Sequence, residues 1–137
     1  MISMARASLA DPDFPNKVQE NRVDDIIRCV GCLQMCLGCD PKAGMSCMLN
    51  PMTGREWQYS GQKTKQRKKV YVAGGGVSGC EAAIAAAEKG HQVELFEASG
   101  QLGGQWLAAR IPVGKEEFGA FLKWQKRRLE QLGVDGP

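Results

Sequence analysis

The chain has 137 residues and a mass of 14.9 kDa, which is enough for about one domain. Its 18 Lys and Arg residues exceed its 15 Asp and Glu residues by three, and this small surplus argues against a dedicated nucleic-acid-binding protein. With 43% hydrophobic and 24% charged residues, the composition is that of a folded globular protein, and no apolar run approaches the ~18 residues of a membrane-spanning helix.

The N-terminal region predicts little regular structure. Residues 1–7 suit either a short strand or the end of a helix, and prolines after Asp11 and Phe14 indicate a loop. Helical turns are expected at residues 16–21 and 23–27. The segment MISMARASLADPDFP lacks the apolar core of a signal peptide, so we expect a cytoplasmic protein with reduced thiols.

Five of the six cysteines lie close together, in the order Cys29-x2-Cys32-x3-Cys36-x2-Cys39-x7-Cys47. Because residues 29–50 show neither helix nor strand periodicity, we expect a metal centre to organise them. Structural zinc and an iron–sulfur cluster are the competing metal interpretations, and a purely structural or disulfide role is the third alternative. Three close cysteines followed by a fourth favour the cluster, since paired zinc knuckles usually have a longer spacer. The spacing alone does not decide which four cysteines bind.

Residues 60–69, SGQKTKQRKK, carry five Lys or Arg residues and no acid. We interpret this segment as a solvated linker rather than a nucleic-acid or membrane patch, because no aromatic residues are interleaved with the charges. It separates a cysteine module from an α/β module.

From Val70 the hydrophobic pattern changes to that of an α/β unit. The predicted elements are a strand at residues 70–73, a helix at 78–89, a strand at 92–97 and a helix at 115–132. Five residues form an apolar stripe on the last helix: Phe118, Phe121, Leu122, Leu129 and Leu132. His91, in a turn, and Cys80, in a helix, are interpreted as packing residues rather than catalytic groups.

A glycine-rich turn joins the first strand and helix of this unit. Gly74, Gly76 and Gly79 stand in G-x-G-x-x-G register. The first permits a tight turn, the second lets the backbone approach a pyrophosphate, and the third lets helix and strand pack closely. Glu97 follows 23 positions after Gly74, where an acidic residue accepts hydrogen bonds from a ribose. The pattern predicts a dinucleotide-binding site.

Together these motifs resemble one family, the iron–sulfur flavoproteins of the 2,4-dienoyl-CoA reductase and trimethylamine dehydrogenase type, within the NADH:flavin oxidoreductase (old yellow enzyme) superfamily. The residues that carry the resemblance are MARASLADPDFPNKV (4–18), DDIIRCVGCLQMC (24–36), CMLNPMTGRE (47–56), KKVYVAGGGVSGCEAA (68–83), GHQVELFEASGQLGGQ (90–105) and KEEFGAFLKW (115–124).

The resemblance implies a fold class and a domain order. Members of the family have a TIM barrel holding FMN, then a 4Fe–4S segment, then an FAD (or ADP) domain interrupted by an NAD(P)H domain. The chain would then be an α/β protein, with a Rossmann-like βαβ unit preceded by an irregular cysteine-rich loop and the tail of a TIM barrel. The implied domains are the end of the barrel region (1–22), the cluster segment (23–59), the linker (60–69) and the start of the FAD domain (70–137). Residues 1–10 would be the last barrel strand and its loop.

The resemblance also implies site residues. Cys29, Cys32, Cys36 and Cys47 match the cluster ligands best, although the gap before Cys47 is slightly short and Cys39 is additional. Arg6 matches an arginine that contacts the FMN phosphate. Leu102 begins a second loop lining the flavin nucleotide. That loop continues with Gly103, Gly104 and Gln105.

The expected function is therefore the electron-transfer portion of an NAD(P)H-dependent flavin oxidoreductase, relaying electrons between FAD and FMN, with no catalytic residue of its own. The barrel and NAD(P)H-domain portions would be absent, as the rest of a longer chain or as partner subunits, and no nucleic-acid or membrane partner is expected. The alternatives are a zinc-stapled nucleotide-binding or interaction module without a redox role, and an inactive remnant. The substrate class stays open.

Overall fold

Two structural units make up the chain, Met1–Ser60 and Gly61–Pro137. The computed structural model describes residues 2–38, 44–59, 61 and 63–137. The expectations for Met1, Cys39, Ser60 and Gln62 therefore concern residues outside the described ranges.

Two short helices begin the first unit. Helix α1 spans Ala5–Ala10, so the strand that the family resemblance implied for residues 1–10 is wrong there, and the alternative of a helix end describes residues 5–7 correctly. Alanine, arginine and leucine favour a helix that needs no neighbouring strand, and the Ser8 hydroxyl donates a 2.7 Å hydrogen bond to the Met4 carbonyl. Helix α2 spans Phe14–Gln19 and begins earlier than expected, because Pro15 is tolerated in a first helical turn.

Beyond α2 the first unit is largely irregular. A 3-10 turn lies at Val23–Asp25, inside the segment predicted to be helical, and an unpredicted one lies at Glu56–Gln58. Between them, residues 26–38 and 44–55 contain no helix or strand in the described part of the chain. This matches the lack of periodicity in the cysteine-rich segment.

The second unit begins with two parallel strands joined by a helix. Strand β1 spans Lys69–Ala73, helix α3 spans Val77–Glu88, and strand β2 spans Gln92–Phe96. The strands pair in parallel along their whole length, from Lys69 opposite Gln92 to Ala73 opposite Phe96. Each element lies within two residues of its predicted bounds.

One face of this sheet forms the core. Val93 and Leu95 of β2 are each 3% exposed and pack with Cys80, Ala83 and Ile84 of α3. Val70 and Val72 of β1 pack against the same cluster. The alternation of buried and exposed residues along both strands follows from the two-residue period of a strand.

Helix α5, Glu117–Gln131, covers this core with an apolar stripe. Phe118, Phe121 and Leu129 are buried as predicted, whereas Leu122 and Leu132 are only half-buried. The stripe also contains Gln125, which the hydrophobic pattern could not identify. It is 1% exposed and donates a 3.1 Å hydrogen bond from Nε2 to the Val77 carbonyl.

A short helix, α4 (Trp106–Ala109), was not predicted. Its Trp106 ring lies 4.8 Å from the Phe118 ring and 5.2 Å from the Phe121 ring, between centroids, so aromatic packing fixes α4 on α5. After α5 the chain returns beside β2, where the Asp135 carbonyl accepts a 2.7 Å hydrogen bond from the Leu95 N–H.

The basic segment before β1 joins the second unit through backbone contacts. Lys69, expected to end the linker, is instead the first residue of β1 and forms a 2.6 Å ion pair with Glu94. Lys68 donates its N–H to Nδ1 of His91 at 3.1 Å, which gives His91 a structural role.

In the described part of the chain, no helix is long and apolar enough to cross a membrane.

Candidate functional site

Four cysteines of the first unit line a single cavity. Cys29, Cys32, Cys36 and Cys47 all contribute to the wall of a solvent-open cavity, and all four thiols are free and partly buried. Apart from Arg6, the rest of the wall is made of apolar side chains. The structure therefore brings together the four residues that matched the family's ligand pattern. Cys39 lies outside the described residues.

The turn between the first two cysteines uses left-handed backbone on both sides of Cys32. Gly31 has φ +65°, a conformation that glycine adopts without steric cost. Leu33 has φ +57°, which is unfavourable for a residue with a Cβ. Such strain concentrates where a segment must aim functional groups, and here it turns Cys29 and Cys32 toward the same cavity.

A buried carboxylate fixes the start of the cysteine segment. Asp11 is 2% exposed and accepts hydrogen bonds from the Ile27 N–H at 2.9 Å and from the Asp13 N–H at 3.1 Å. The Lys17 ammonium lies 2.7 Å from the same carboxylate and neutralises it. Since Ile27 is two residues before Cys29, Asp11 positions the first ligand of the cavity.

Two polar side chains fix the other end of the segment. The Leu9 carbonyl, in the last turn of α1, accepts hydrogen bonds from Asn50 Nδ2 at 3.0 Å and from Thr53 Oγ1 at 2.7 Å. Asn50 and Thr53 are 7% and 5% exposed, and Asn50 follows Cys47 by three residues. Both ends of the cysteine segment are thus tied to the C-terminal end of α1 by hydrogen bonds.

Sequence reasoning missed these anchors. Asp11 was read only as part of a loop signal, and Asn50 and Thr53 were not singled out. The local signals were an Asp-Pro step and an Asn-Pro-x-Thr-Gly turn, but their partners are distant in sequence. Asn50 and Thr53 reach a carbonyl 41 and 44 positions away.

The donor set of the cavity suits an iron–sulfur cluster. It offers four thiols without a histidine or carboxylate, which are the soft ligands that such clusters take. Within the described ranges, no three His, Cys, Asp or Glu side chains converge closely enough to hold one metal ion. In a cluster each thiolate binds a different iron, so the sulfurs need not converge on one point.

The second unit carries a separate site at the turn between β1 and α3. Gly74 has φ +103° and donates its N–H to the Phe96 carbonyl at 2.7 Å, which joins the turn to the end of β2. A Cβ at Gly79 would overlap the Gly74 carbonyl oxygen and lie 3.6 Å from Val72 Cγ1. The absence of a side chain at Gly79 therefore allows α3 to start directly against the strand.

Gly76 is the N-cap of α3 and has open space where a Cβ would be, with no described atom within 4 Å. No side chain caps this helix in the part of the chain that the structure describes. The first N–H groups of a helix have no intrahelical partner, and the helix dipole adds positive potential there. This open helix end can accept a phosphate.

Glu97 binds the glycine turn as well as its own loop. Its carboxylate accepts hydrogen bonds from the Gly75 N–H at 2.6 Å, from the Ser99 N–H at 2.9 Å and from the Ser99 hydroxyl at 2.8 Å. The Ser99 N–H, followed by the Gly75 N–H, lowers the pKa of Glu97. Gly75 was not identified from the sequence as a site residue. A Cβ at Gly75 would lie 2.6 Å from Leu102 Cδ2 and 3.0 Å from Glu97 Cβ, so the turn has no room for a side chain there.

The predicted second glycine loop packs against the first. Gly103 donates its N–H to the Gly75 carbonyl at 2.7 Å and pairs with Gly76 as an isolated parallel bridge. A Cβ at Gly104 would lie only 3.2 Å from Gly76 Cα. Gln105 is the N-cap of α4, and it is exposed. The structure thus gathers Gly103 and Gly104 with the first turn and leaves the Gln105 side chain in solvent.

Comparisons with known proteins relate the chain to flavin oxidoreductases. Residues 69–122 match the model of the FAD dependent oxidoreductase family. The chain is 42% identical over 136 residues to cinnamate reductase from Clostridium sporogenes and 39% identical over 137 residues to NADH oxidase from Thermoanaerobacter brockii. Each match covers 98% of this chain and 20% or 21% of the relative. The solved structure of 2-naphthoyl-CoA reductase matches with a TM-score of 0.90 and 34% identity, over 97% of this chain and 21% of that one.

Residues 69–122 therefore form part of an FAD dependent oxidoreductase domain, and the chain is homologous over nearly its whole length to flavin oxidoreductases. The resemblance expected from the sequence is confirmed. The chain spans about a fifth of the length of the relatives that it matches.

Two assignments, Arg6 from the family resemblance and Cys80 from the helix pattern, have different outcomes in the structure. Arg6, matched to an arginine that contacts the FMN phosphate, lies in the wall of the cysteine cavity, and the phosphate contact stays a prediction. Cys80, read as a packing residue, is 1% exposed and its Sγ contacts the Gly75 carbonyl at 3.4 Å. Burial raises the pKa of the Cys80 thiol to about 11, so this thiol stays protonated and unreactive.

Proposed function

We propose that the chain is the electron-transfer portion of an NAD(P)H-dependent flavin oxidoreductase, holding a 4Fe–4S cluster in its first unit and the ADP part of FAD in its second. One observation carries the proposal. Four free cysteines, spread over 19 positions from Cys29 to Cys47, line one cavity in a chain related to flavin oxidoreductases.

In the first unit, Cys29, Cys32, Cys36 and Cys47 would hold the cluster. A bound 4Fe–4S cluster supplies one-electron transfer. The chain supplies the thiolates, a largely apolar wall, and the anchors at Asp11 and Leu9 that keep the ligand segment in place. These anchors act on backbone and side-chain groups outside the four cysteines, so they position the segment independently of the ligand bonds.

In the second unit, the glycine turn would bind the pyrophosphate of the nucleotide, in the manner of a Rossmann-like unit. Gly76 leaves room for close approach, and the open N-terminus of α3 favours the phosphate charge. Glu97, which stays ionised because its pKa is lowered, accepts three hydrogen bonds within the chain and has about one lone-pair site left for a ribose hydroxyl. The loop at Gly103 and Gly104 packs against this turn, through the hydrogen bond of Gly103 to Gly75 and the close approach of Gly104 to Gly76.

The remaining parts of the enzyme follow from the family by analogy. A TIM barrel with FMN and an NAD(P)H domain would complete it, as the rest of a longer chain or as partner subunits, and electrons would pass between FAD and FMN. Residues 1–22 would adjoin the barrel. We further propose a cytoplasmic location.

Anaerobic reconstitution with iron and sulfide tests the cluster. We expect about four irons and four sulfides per chain, a brown colour and broad visible absorbance. Cys32→Ser should lower the iron content sharply, whereas Cys80→Ala, which removes a buried thiol of the second unit, should not. A colourless chain that retains about one zinc per molecule would support the zinc-stapled module instead.

A further inference from the structure

Arg6 is the charged residue in the wall of the cysteine cavity. It lines this cavity together with the four cysteines, and its Nη1 lies 4.0 Å from the position that a Cβ on Gly31 would take. Gly31 is next to Cys32 in the first cysteine turn. The guanidinium therefore lies beside the ligand loop itself.

The carboxylates nearby in sequence are directed at other cations. Asp11 pairs with Lys17 at 2.7 Å. Arg22 pairs with three acids, namely Glu20 at 2.6 Å, Asp13 at 3.5 Å and Asp25 at 3.7 Å. Among the described residues Arg6 has no ion pair, so none of the described carboxylates neutralises its positive charge.

A positive charge at this position changes the reduction potential of a thiolate-bound cluster. Four thiolates give the site net negative charge, and uptake of one electron makes it more negative by one unit. A nearby cation stabilises the more negative, reduced state and so raises the reduction potential. The Arg6 side chain is exposed, so water screens part of this attraction and the expected change in potential is modest.

We propose that Arg6 tunes the cluster of this chain, its guanidinium raising the reduction potential by stabilising the reduced state. The proposal rests on the proposed function, since it needs the cluster at Cys29, Cys32, Cys36 and Cys47. It adds a role for Arg6 that is independent of any contact with an FMN phosphate.

A redox titration of the reconstituted full chain tests this role, with dithionite as electron donor and the paramagnetic signal of the reduced cluster as readout. Arg6→Gln should lower the equilibrium constant for reduction by up to about tenfold, which is about 59 mV for one electron. Arg6→Lys retains the charge and should stay near the wild-type potential. Arg55→Gln removes one charge from an exposed residue of the same unit outside the cavity wall, and it should change little.

A second variant, which adds a positive charge, keeps the proposal testable if Arg6→Gln fails to hold a cluster. Met35 also lines the cavity and is 44% exposed, so Met35→Lys can place a second cation on the same wall and should raise the potential. Equal potentials in wild type and Arg6→Gln, a fall in Arg6→Lys as large as in Arg6→Gln, or no rise in Met35→Lys would each overturn the role of Arg6. Failure of the wild-type chain to take up iron and sulfide would instead overturn the proposed function.

Discussion

The substitutions Gly79→Ala and Gly76→Ala should have different effects. Gly79→Ala should reduce the stability of the second unit, whereas Gly76→Ala should weaken its nucleotide binding. The two glycines are three residues apart, yet their surroundings differ. A Cβ at Gly79 would overlap the Gly74 carbonyl oxygen and lie 3.1 Å from the Gly74 carbonyl carbon, both backbone atoms that cannot rotate away. A Cβ at Gly76 would meet nothing within 4 Å among the described atoms.

The magnitudes follow from these contacts. Overpacking costs about 1–3 kcal/mol. Because the Gly79 clash is with backbone atoms, we take the upper end of this range, about 3 kcal/mol, as the cost of overpacking. The higher helix propensity of alanine offsets about 1 kcal/mol of that cost. Gly79→Ala should therefore lower the free energy of unfolding by about 2 kcal/mol. At Gly76, alanine is a poorer N-cap by up to about 1 kcal/mol, and restriction of the unfolded chain offsets this by about 0.4–1 kcal/mol. Gly76→Ala should leave stability unchanged within about 0.5 kcal/mol.

The assay combines urea unfolding with ADP binding by calorimetry. Trp106 and Trp124 report on the second unit, so a Trp57→Phe background removes the tryptophan of the first unit, which is 79% exposed. Gly76→Ala should weaken ADP binding at least about tenfold, because its methyl group occupies the path of the pyrophosphate. Unchanged ADP affinity in Gly76→Ala would refute the pyrophosphate site, and unchanged stability in Gly79→Ala would refute the packing argument.

Three further predictions concern other positions. Asp11→Asn leaves the Lys17 ammonium unpaired, so we expect a loss of about 3 kcal/mol in urea unfolding of the first unit followed by circular dichroism, and an unchanged midpoint would contradict the anchor. Leu33→Gly removes the left-handed strain and should gain up to about 1 kcal/mol in the same assay, whereas Leu33→Ala should not. The pKa of the Cys80 thiol is raised from 9.0 to about 11, so its stabilising contribution is complete below pH 9.0 and declines as the pH rises through about 11. Stability measured across this range should fall less in Cys80→Ala than in wild type, and identical pH dependence would contradict the burial argument.

The sequence alone was sufficient where local patterns decide the structure. The apolar alternation around Val93 and Leu95 and the glycine register at Gly74, Gly76 and Gly79 placed β1, α3 and β2 within two residues. The same register identified the turn that we propose as the nucleotide site, because close approach of backbone to phosphate requires glycine. The cysteine spacing identified the residues that the fold gathers around one cavity.

Long-range polar contacts were not accessible in this way. The anchors at Asp11, Asn50 and Thr53 act on backbone groups 16 to 44 positions away, and a single sequence shows no period for such pairs. Gly75 was overlooked because the dinucleotide fingerprint leaves its position free, although Leu102 and Glu97 pack directly against it.

Short elements were the other source of error. Helix α1 has six residues, and its alanines favour a local helix where the family resemblance had implied a strand. Helix α4 has four residues, too few for a hydrophobic period to appear. Its place is fixed by contacts of Trp106 with α5 rather than by its own sequence pattern.

Electron paramagnetic resonance of the anaerobically reconstituted, dithionite-reduced chain tests the central claim most directly. If Cys29, Cys32, Cys36 and Cys47 hold a 4Fe–4S cluster, the reduced wild-type chain should show the signal of a paramagnetic cluster that integrates to about one spin per chain. Cys80→Ala should give the same signal. A wild-type chain that remains without a signal and binds about one zinc per molecule would contradict the electron-transfer function.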